Sequence, residues 1–575
     1  MALLASAAIT ALSLTAVQAT PAAAASALNA DGSSWAGPAI EKWRTDVADR
    51  GITINFTPNG SAAGRNQWSA GLDDFTASDV PFRTAQDTGV SATNQTLGSG
   101  NPENPVYGYS YVPITAGGTA FMYNLKIGNT QITDLRLSPD RLVDIFTGKI
   151  TFWDDPAITA EYGRSLPHLK ITPVIRSDGS GATAQFTRWM EHTHKSQWDA
   201  YCTSLNGVAC GDYTEFFPPA GNMLAQNGSD QVAHYIMQPL GLGSIGYDEY
   251  AFALESNWPV VKVRNPGGFY VLPTASNVAV ALTKAKIRGV DDSTSPDDPN
   301  YLQQNLDEVY SNNDPRSYPV SSYSYLIVPR DNAANKPPKR FTNDKGAALS
   351  QYLSYVLCAG QATGHGGIDE IGYSPIPRGL VRGGLLQMSH IPGNSSNVDP
   401  NTLNNCANPT FDSSGRLIIL DNAPQPNACD AVGMPLNCDR NHPSATPAGG
   451  SGGSGSGGSG GSGSGGGSGG SGSGGGSGGS GSGGGTGGAG TGGGTGGDGA
   501  VIDPQTGEVI AAGSGGSGSG GTAQVAANLV NVDSRPQEWT LTVLTALELL
   551  AVVLVPPFLG SWLRRRRGRA GGEQR

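Results

Sequence analysis

The stretch ITPVIRSDGSGATAQFTRWM, residues 171–190, decides the fold. Its first five residues are mostly apolar and predict a buried strand, and the segment after the turn predicts a helix through Trp189. Between them stands a turn of small residues that carries Arg176 and Ser180. Such a turn presents free backbone N–H groups and the positive end of a helix dipole. The order of strand, hydroxyl-bearing turn and helix therefore predicts an α/β fold with a candidate ligand-binding turn.

Two further turns of the same kind occur upstream, GSSW at 32–35 and NGSA at 59–62. The third is DGSGA at 178–182, within the opening stretch. A single Gly/Ser turn usually does no more than cap a helix. Three of them in one chain, with Arg176 next to the third, favour a shared ligand site.

The other predicted elements continue the alternation of strands and helices. They are a strand at 52–56, a helix at 62–70, two β-rich runs within 109–124, a helix that begins at Ser138-Pro139-Asp140 and ends at Gly148, a strand at 324–328 and a helix at 344–357. This alternation is typical of an α/β protein.

Composition separates a globular part from the rest of the 575 residues. Residues 446–522 are almost wholly Gly, Ser and Thr, which leaves about 420 residues for two to three domains. The net charge of −11 lies entirely within 27–445, because the remainder carries seven residues of each sign. An acidic domain is a poor nucleic-acid binder. Any bound anion must therefore be held by local donors.

Targeting and anchoring segments are expected at both ends. Residues 1–26 are apolar and small, and they predict a signal peptide. Residues 446–538 predict a disordered Gly/Ser linker, within which 501–510 has the pattern of a small hairpin.

The apolar run 539–562 is long enough to cross a membrane as one transmembrane helix, and the basic tail 563–575 follows it. The positive-inside rule puts the tail in the cytoplasm and the globular part on the extracytoplasmic face of the cell membrane. An amphipathic surface helix is the alternative for this run.

Six cysteines stand at 202, 210, 358, 406, 429 and 438. An even number in an exported chain indicates disulfides. The local pairings Cys202–Cys210 and Cys429–Cys438 are favoured, which leaves Cys358–Cys406; buried free thiols are the alternative. Neither a CxxC motif nor a Cys/His metal spacing occurs in the sequence, so no metal or other cofactor is expected.

Five motifs carry a resemblance to a known family. They are DGSSWAGPAIEKW (31–43), NGSAAGRNQWSAGLDDFTASDVP (59–81), LSPDRLVDIFTGKITFWDDPAI (137–158), VIRSDGSGATAQFTRWM (174–190) and GSIGYDEYAFA (243–253). In this order they resemble the phosphate-binding component of the high-affinity phosphate ABC transporter. The resemblance covers about residues 28–385.

The resemblance implies a two-lobed periplasmic-binding-protein fold whose lobes close about a hinge over one dehydrated phosphate. The phosphate-binding domain is then 27–385, with lobe 1 at about 27–114 and 318–385 and lobe 2 at about 115–317. Residues 386–445 form a cysteine-containing extension outside the family's usual pattern.

The resemblance also implies a set of phosphate-binding residues. They are Ser34, Trp35 through its backbone N–H, Ser61, Asp79, Arg176, Ser180, Gly181 and Ala182, with Asp178 behind them to orient Arg176. Ala182 stands where the family usually has Thr, so that either one hydroxyl donor is lost or Thr183 replaces it. Two structural alternatives remain, a helix cap for Asp79 and a surface ion pair for Arg176.

Physical chemistry supports these roles. The Arg176 guanidinium can pair two oxygens of one oxyanion through its fork. An ionised carboxylate only accepts hydrogen bonds, so Asp79 requires a protonated oxyanion. Phosphate carries a proton near pH 7 and sulfate does not, and Asp79 would therefore repel sulfate.

The predicted function is extracytoplasmic capture of inorganic phosphate for the permease subunits of an ABC transporter, without enzymatic activity. One alternative is a membrane-tethered phosphate sensor or adhesin with the same fold. Another is a hydrolase that uses Ser61 or Ser180 as its nucleophile. That reaction needs a paired base or a metal cluster, and the sequence shows no motif for either.

Overall fold

The structure, a computed structural model, describes residues 26–87, 100–331, 336–436 and 438, together with the backbone of 501–502 and 509–510. The predicted transmembrane helix, the basic tail, most of the linker and all but the last residue of the predicted signal peptide lie outside these residues. Among the helices that are described, none has the length and apolar character needed to cross a membrane.

Strands are distributed along the whole described chain. They are β1 (Leu28–Gly32), β2 (Ile54–Thr57), β3 (Phe75–Ser78), β4 (Tyr109–Tyr123), β5 (Lys126–Ile127), β6 (Thr130–Gln131), β7 (Arg136–Leu137), β8 (Thr172–Arg176), β9 (Leu224–Gln226), β10 (Ser244–Glu249), β11 (Lys262–Arg264), β12 (Tyr270–Val271), β13 (Lys286–Ile287), β14 (Gln304–Asn305), β15 (Ser321–Pro329), β16 (Val501–Ile502) and β17 (Val509–Ile510). The last two pair with each other, which agrees with the hairpin predicted at 501–510.

Helices alternate with these strands. They are α1 (Gly37–Ala48), α2 (Ser61–Ser69), α3 (Pro139–Phe146), α4 (Pro156–Tyr162), α5 (Gly181–Asn206), α6 (Gly228–Met237), α7 (Tyr250–Glu255), α8 (Ala275–Leu282), α9 (Asp307–Tyr310), α10 (Asn343–Leu357), α11 (Arg378–Met388) and α12 (Ile418–Asp421). Three short 3₁₀ turns are added at Pro239–Gly241, Ala359–Gln361 and Ala428–Asp430.

An eight-stranded sheet in the order β2-β1-β3-β15-β4-β10-β8-β9 organises the molecule. We call β2, β1, β3 and β15 its first half, and β10, β8 and β9 its second half. The pairs β1/β2, β1/β3, β8/β10 and β8/β9 are parallel. Strand β15 is antiparallel to β3 and β4, and β10 is antiparallel to β4. The mixed α/β class predicted from the sequence is confirmed.

Strand β4 belongs to both halves. Its residues up to Gly118 pair with β15, and those from Thr119 onward pair with β10. The sequence predicted two separate β-rich runs here, but the structure has one continuous strand that changes its partner. The change of partner places the two halves next to each other in one sheet.

The four helices predicted from the sequence are present, and local signals placed their starts to within one or two residues. Helix α3 begins after Ser138, whose hydroxyl accepts a hydrogen bond from the backbone N–H of Arg141 at 3.4 Å, with Pro139 in the first turn. Helix α5 passes through Trp189 as predicted and continues to Asn206, with non-helical backbone angles at His194.

Aromatic side chains fill the core of the second half. Phe186 of α5 lies 5.1 Å from Phe121 and 5.0 Å from Phe146 and Tyr247, measured between ring centroids. Phe217 joins the same group. Because these rings pack beneath the start of α5, they hold the turn at 178–182 in place.

The described part of the extension, residues 386–436 and 438, is attached to the rest of the domain at two points. At the first, Cys406 is bonded to Cys358, at the end of α10. At the second, the Lys262 ammonium contacts both carboxylate oxygens of Asp430, at 2.7 and 2.8 Å. The extension therefore packs along the domain.

All three predicted disulfides are present, Cys202–Cys210, Cys358–Cys406 and Cys429–Cys438. They tie residues 8, 48 and 9 positions apart in the sequence. The longest of these loops is the one that attaches the extension to α10.

We expect Cys358→Ala/Cys406→Ala to lower the free energy of unfolding by about 4 kcal/mol, and the matched control Cys429→Ala/Cys438→Ala by about 3 kcal/mol, because loop-closure entropy grows with loop length. Denaturant unfolding of the two variants and the wild type measures both values. Free thiols at 358 and 406, found by peptide mapping of unreduced protein, would contradict the pairing.

Candidate functional site

Three turns of the first half meet at one edge of the sheet. Ser34 follows β1, Ser61 begins α2 shortly after β2, and Asp79 follows β3. Because these three strands are parallel, their carboxyl ends lie at the same edge. Gly60 adopts φ +101°, and a Cβ there would collide with the Asp178 carboxylate, so that only glycine fits before Ser61.

Asp79 lies at the centre of a set of serine hydroxyls. Its Oδ2 accepts hydrogen bonds from Ser33 Oγ at 2.7 Å and Ser61 Oγ at 3.2 Å, and its Oδ1 accepts one from Ser324 Oγ at 2.7 Å. The side chain is buried. Burial raises the pKa of Asp79 above its usual value, while the three serines and the Arg176 charge act in the opposite direction.

Arg176 is the last residue of β8, in the second half of the sheet, and its side chain faces these turns. Its Nε donates to Asp178 Oδ1 at 2.8 Å and its Nη2 to Asp178 Oδ2 at 2.5 Å. Nη2 also reaches Ser34 Oγ at 2.9 Å, and Nη1 reaches Ser229 Oγ at 3.1 Å. The guanidinium is therefore fully buried, oriented by a carboxylate of its own turn, and in contact with the first half through Ser34.

The turn at 178–182 starts α5 directly against Asp79. Ser180 Oγ accepts a hydrogen bond from the Thr183 backbone N–H at 3.3 Å, which makes Ser180 the N-cap. A Cβ on Gly181 would collide with the Asp79 carboxylate, so this close approach requires glycine. The Thr183 hydroxyl lies 2.8 Å from Tyr247 Oη. The Thr183 hydroxyl is therefore paired with Tyr247 in this structure.

The residues proposed from the sequence thus come together from both halves. Further contacts cross the junction: the Ala62 backbone N–H donates to the Gly179 carbonyl at 3.0 Å, and Gln185 Nε2 donates to the Asp79 carbonyl at 2.7 Å. Trp35 packs its ring against Tyr373, at 5.8 Å between centroids.

Three serines of the site were missed from the sequence, Ser33, Ser229 and Ser324. Ser229 lies in NGSD (227–230), a Gly/Ser turn at the start of α6, and the rule that found the other turns applies to it. Ser33 precedes Ser34 in a turn already singled out. Ser324 lies in the middle of the buried strand β15, where a serine carries no signal of function.

Two buried acids end β10 at the same edge. Burial raises the pKa of Asp248 to about 7, although the Arg176 charge and the Ser229 hydroxyl oppose the shift. Burial and the neighbouring carboxylates of Asp248 and Asp79 raise the pKa of Glu249 well above its usual range. Arg176 therefore faces more acids than it can neutralise, and the site holds protons near neutral pH.

The arrangement can bind a small oxyanion that carries a proton. Arginine, serine hydroxyls and the N–H groups at the starts of α2 and α5 are donors, and Asp79 is an acceptor. Across the part of the chain that the structure describes, no group of three or more His, Cys, Asp or Glu residues is placed to hold a metal ion.

A family model and the sequences of known proteins place this chain in the same class of binding protein. The family model described as a PBP (periplasmic-binding-protein) superfamily domain matches residues 17–359. The phosphate-binding protein PstS of Methanocaldococcus jannaschii is 29% identical over 363 residues, which cover 61% of this chain and 83% of that protein. PstS 3 of Mycobacterium tuberculosis is 30% identical over 331 residues, which cover 57% of this chain and 76% of that protein.

The chain belongs to the PBP superfamily and, within it, to the PstS family of phosphate-binding proteins. A crystal structure of a phosphate-binding protein from Stenotrophomonas maltophilia aligns with 63% of this chain and 94% of its own, at 19% identity and a TM-score of 0.42.

The acids of the site should make stability depend on pH. Asp248 has a pKa of about 7 in the folded chain and about 3.9 when unfolded, so the folded state binds the proton more tightly. The stability that the protonated Asp248 carboxyl contributes is fully present below about pH 4. It is lost as the pH rises from about 4 to about 7, and the stability does not change further above that range because of this group. We expect the stability of Asp248→Asn relative to wild type to increase by up to about 4 kcal/mol over this window.

Denaturant unfolding of both proteins at a series of pH values measures this difference. A difference that does not change between pH 4 and pH 8 would contradict the shifted pKa of Asp248. Asp144→Asn is a matched control, because Asp144 is a buried aspartate whose partners Arg141, Lys149 and Gln197 lie outside the site.

Proposed function

We propose that this protein captures inorganic phosphate outside the cytoplasm and delivers it to the permease subunits of an ABC transporter. The observation that carries the proposal is the placement of a buried acceptor, Asp79, against Arg176 and the serines of both halves. The relatives named phosphate-binding proteins support the same ligand.

The donors would compensate the charge of the anion locally. The globular part is acidic, so no long-range field draws an anion in. Arg176 would supply the positive charge, and Ser34 and Ser180 would turn their hydroxyls to the ligand. The backbone N–H groups of Trp35, Gly181 and Ala182 would complete the set, since free N–H groups at turns and helix starts bind oxyanions.

Asp79 would select the protonation state of the ligand. The hydroxyls of Ser33, Ser61 and Ser324 stabilise its carboxylate and fix its position. In this arrangement Ser61 acts on the anion through Asp79. A carboxylate that faces a fully deprotonated anion leaves two negative charges opposed in a buried site, which costs far more free energy there than in water.

The two halves would act as lobes that open to admit the ligand. Lobe 1 would comprise 27–114 and 318–385, and lobe 2 would comprise 115–317. Opening would separate Arg176 from Ser34 and the Ala62 N–H from the Gly179 carbonyl, both of which join the halves in this structure. These contacts favour the interpretation that the present conformation is the closed one.

We also propose that the protein is held at the membrane. The apolar run 539–562 with the arginines that follow it supports a single-pass helix with a cytoplasmic tail. The Gly/Ser linker of 446–538 would then let the globular part reach a neighbouring permease.

The purified protein should bind one phosphate and reject sulfate. Asp79→Asn should lower the ratio of phosphate affinity to sulfate affinity by at least about tenfold, because the amide no longer repels an unprotonated anion and can donate a hydrogen bond to it. Calorimetric titration with both anions measures the ratio, with Asp144→Asn as the matched control. Equal affinity of the wild type for the two anions would contradict the role of Asp79.

Arg176→Ala should weaken phosphate binding by about 2–5 kcal/mol, because a buried charged partner is lost. Arg176→Lys should recover part of this loss, since the charge stays while the fork geometry is lost. Arg136→Ala is the matched control, because Arg136 is a buried arginine that contacts the carbonyls of Cys429 and Met434.

Titration of these variants, with circular dichroism to verify folding, tests the assignment. A folded Arg176→Ala protein that binds within about threefold of wild type would place the site elsewhere. Phosphate uptake by cells that carry Arg176→Ala separates delivery from sensing, because only delivery predicts a fall in uptake.

A further inference from the structure

A second group of buried charges lies beside the candidate site. We call Arg65, Arg83, Glu103 and Glu215 the charge cluster. Arg65 contacts Glu103 at 2.9 Å and Glu215 at 2.6 Å, and Arg83 contacts Glu103 at 3.2 Å. Arg83 also forms a close ion pair with Glu215. All four side chains are at most 6% exposed, so each charge depends on its partners in the cluster.

One member of the cluster comes from the other half of the protein. Arg65 lies on α2, which packs on β1 and β3, and Arg83 and Glu103 follow β3. Glu215 instead lies between α5 and β9. Its neighbour Phe217 packs in the aromatic core of the second half. The carboxylate of Glu215 therefore crosses the junction and reaches two arginines of the first half.

Glu215 is also connected to the ligand turns through its backbone. Its carbonyl accepts a hydrogen bond from the Ser180 N–H at 3.0 Å, and its N–H donates to Asp87 Oδ2 at 2.8 Å. On the other side, Arg65 is in the same helix as Ser61, one turn later. A contact that holds Glu215 against Arg65 therefore holds the turn at 178–182 against the turn at 59–62.

The charges are balanced only when the halves are together. With Glu215 in place, two arginines face two glutamates; without it, two buried arginines share one. Burial opposes ionisation of Glu215, but Arg65 and Arg83 hold its pKa below its usual value, so it remains charged. Removal of one partner from such a buried group is strongly unfavourable, whereas in an open state water would solvate each charge.

We propose that Glu215 is a latch that closes the two halves independently of the ligand, and that it sets phosphate affinity without touching the anion. The part about affinity rests on the proposed function. Glu215 is a positioning residue: it shifts the population toward the closed state, and a ligand that binds the closed state gains in apparent affinity as that population grows.

Glu215→Gln in the full-length protein tests the latch. The amide keeps the shape but loses the charge, and we expect phosphate affinity to fall by at least about tenfold. Most of the loss should appear as faster release in stopped-flow measurements. In small-angle scattering of phosphate-free protein, the radius of gyration of Glu215→Gln should exceed that of the wild type.

Two further variants separate a latch from a purely structural role. Arg83→Gln removes the same ion pair from the other half, and its effect on phosphate release should be much less than additive with that of Glu215→Gln. If Glu215→Gln does not fold, Arg83→Gln alone tests the latch by the same two measurements. Glu103→Gln stays within the first half and should lower the unfolding midpoint equally with and without phosphate.

Wild-type release rates and an unchanged radius of gyration in folded Glu215→Gln would overturn the latch. Wild-type protein that binds no phosphate would instead overturn the proposed function. In that case the scattering comparison still decides the latch, because it contains no ligand.

Discussion

The buried guanidinium of Arg176 is the interaction on which the site depends. A charge without water is tolerated only when its hydrogen bonds are satisfied and its sign is compensated. Asp178 supplies two of those bonds from the same turn, and Ser34 and Ser229 supply one each. Because Ser34 belongs to the other half of the sheet, satisfying Arg176 also brings the two halves together.

Around this arginine the protein places an excess of carboxylates. Asp79 and Asp178 are both near Arg176, and Asp248 is behind it with a pKa of about 7. The domain is net acidic as well. The overall charge of the domain therefore does not compensate the charge of a bound anion. Donors at turns and helix starts, together with protons held by the buried acids, provide that compensation. The charge cluster around Glu215 keeps its own charges balanced in the same conformation.

Much of this arrangement could be predicted from the sequence, because its parts are local. The turn at 178–182, the start of α3 at Ser138 and the three disulfides all have signatures within a few residues or in a short count of cysteines. Contacts between distant segments could not be predicted in this way. Ser324 meets Asp79 across 245 positions of sequence, and Glu215 meets Arg65 across 150. The continuous strand β4 was also missed, since nothing local marks a change of strand partner.

A crystal structure of the purified protein grown with phosphate tests the central claim most directly. The account predicts one tetrahedral anion within hydrogen-bond distance of the Arg176 guanidinium and of the Ser34 and Ser180 hydroxyls. One of its oxygens should lie within the same reach of the Asp79 carboxylate, because that oxygen carries the proton. Phosphate bound elsewhere, or bound without contact to Arg176 and Asp79, would contradict the account.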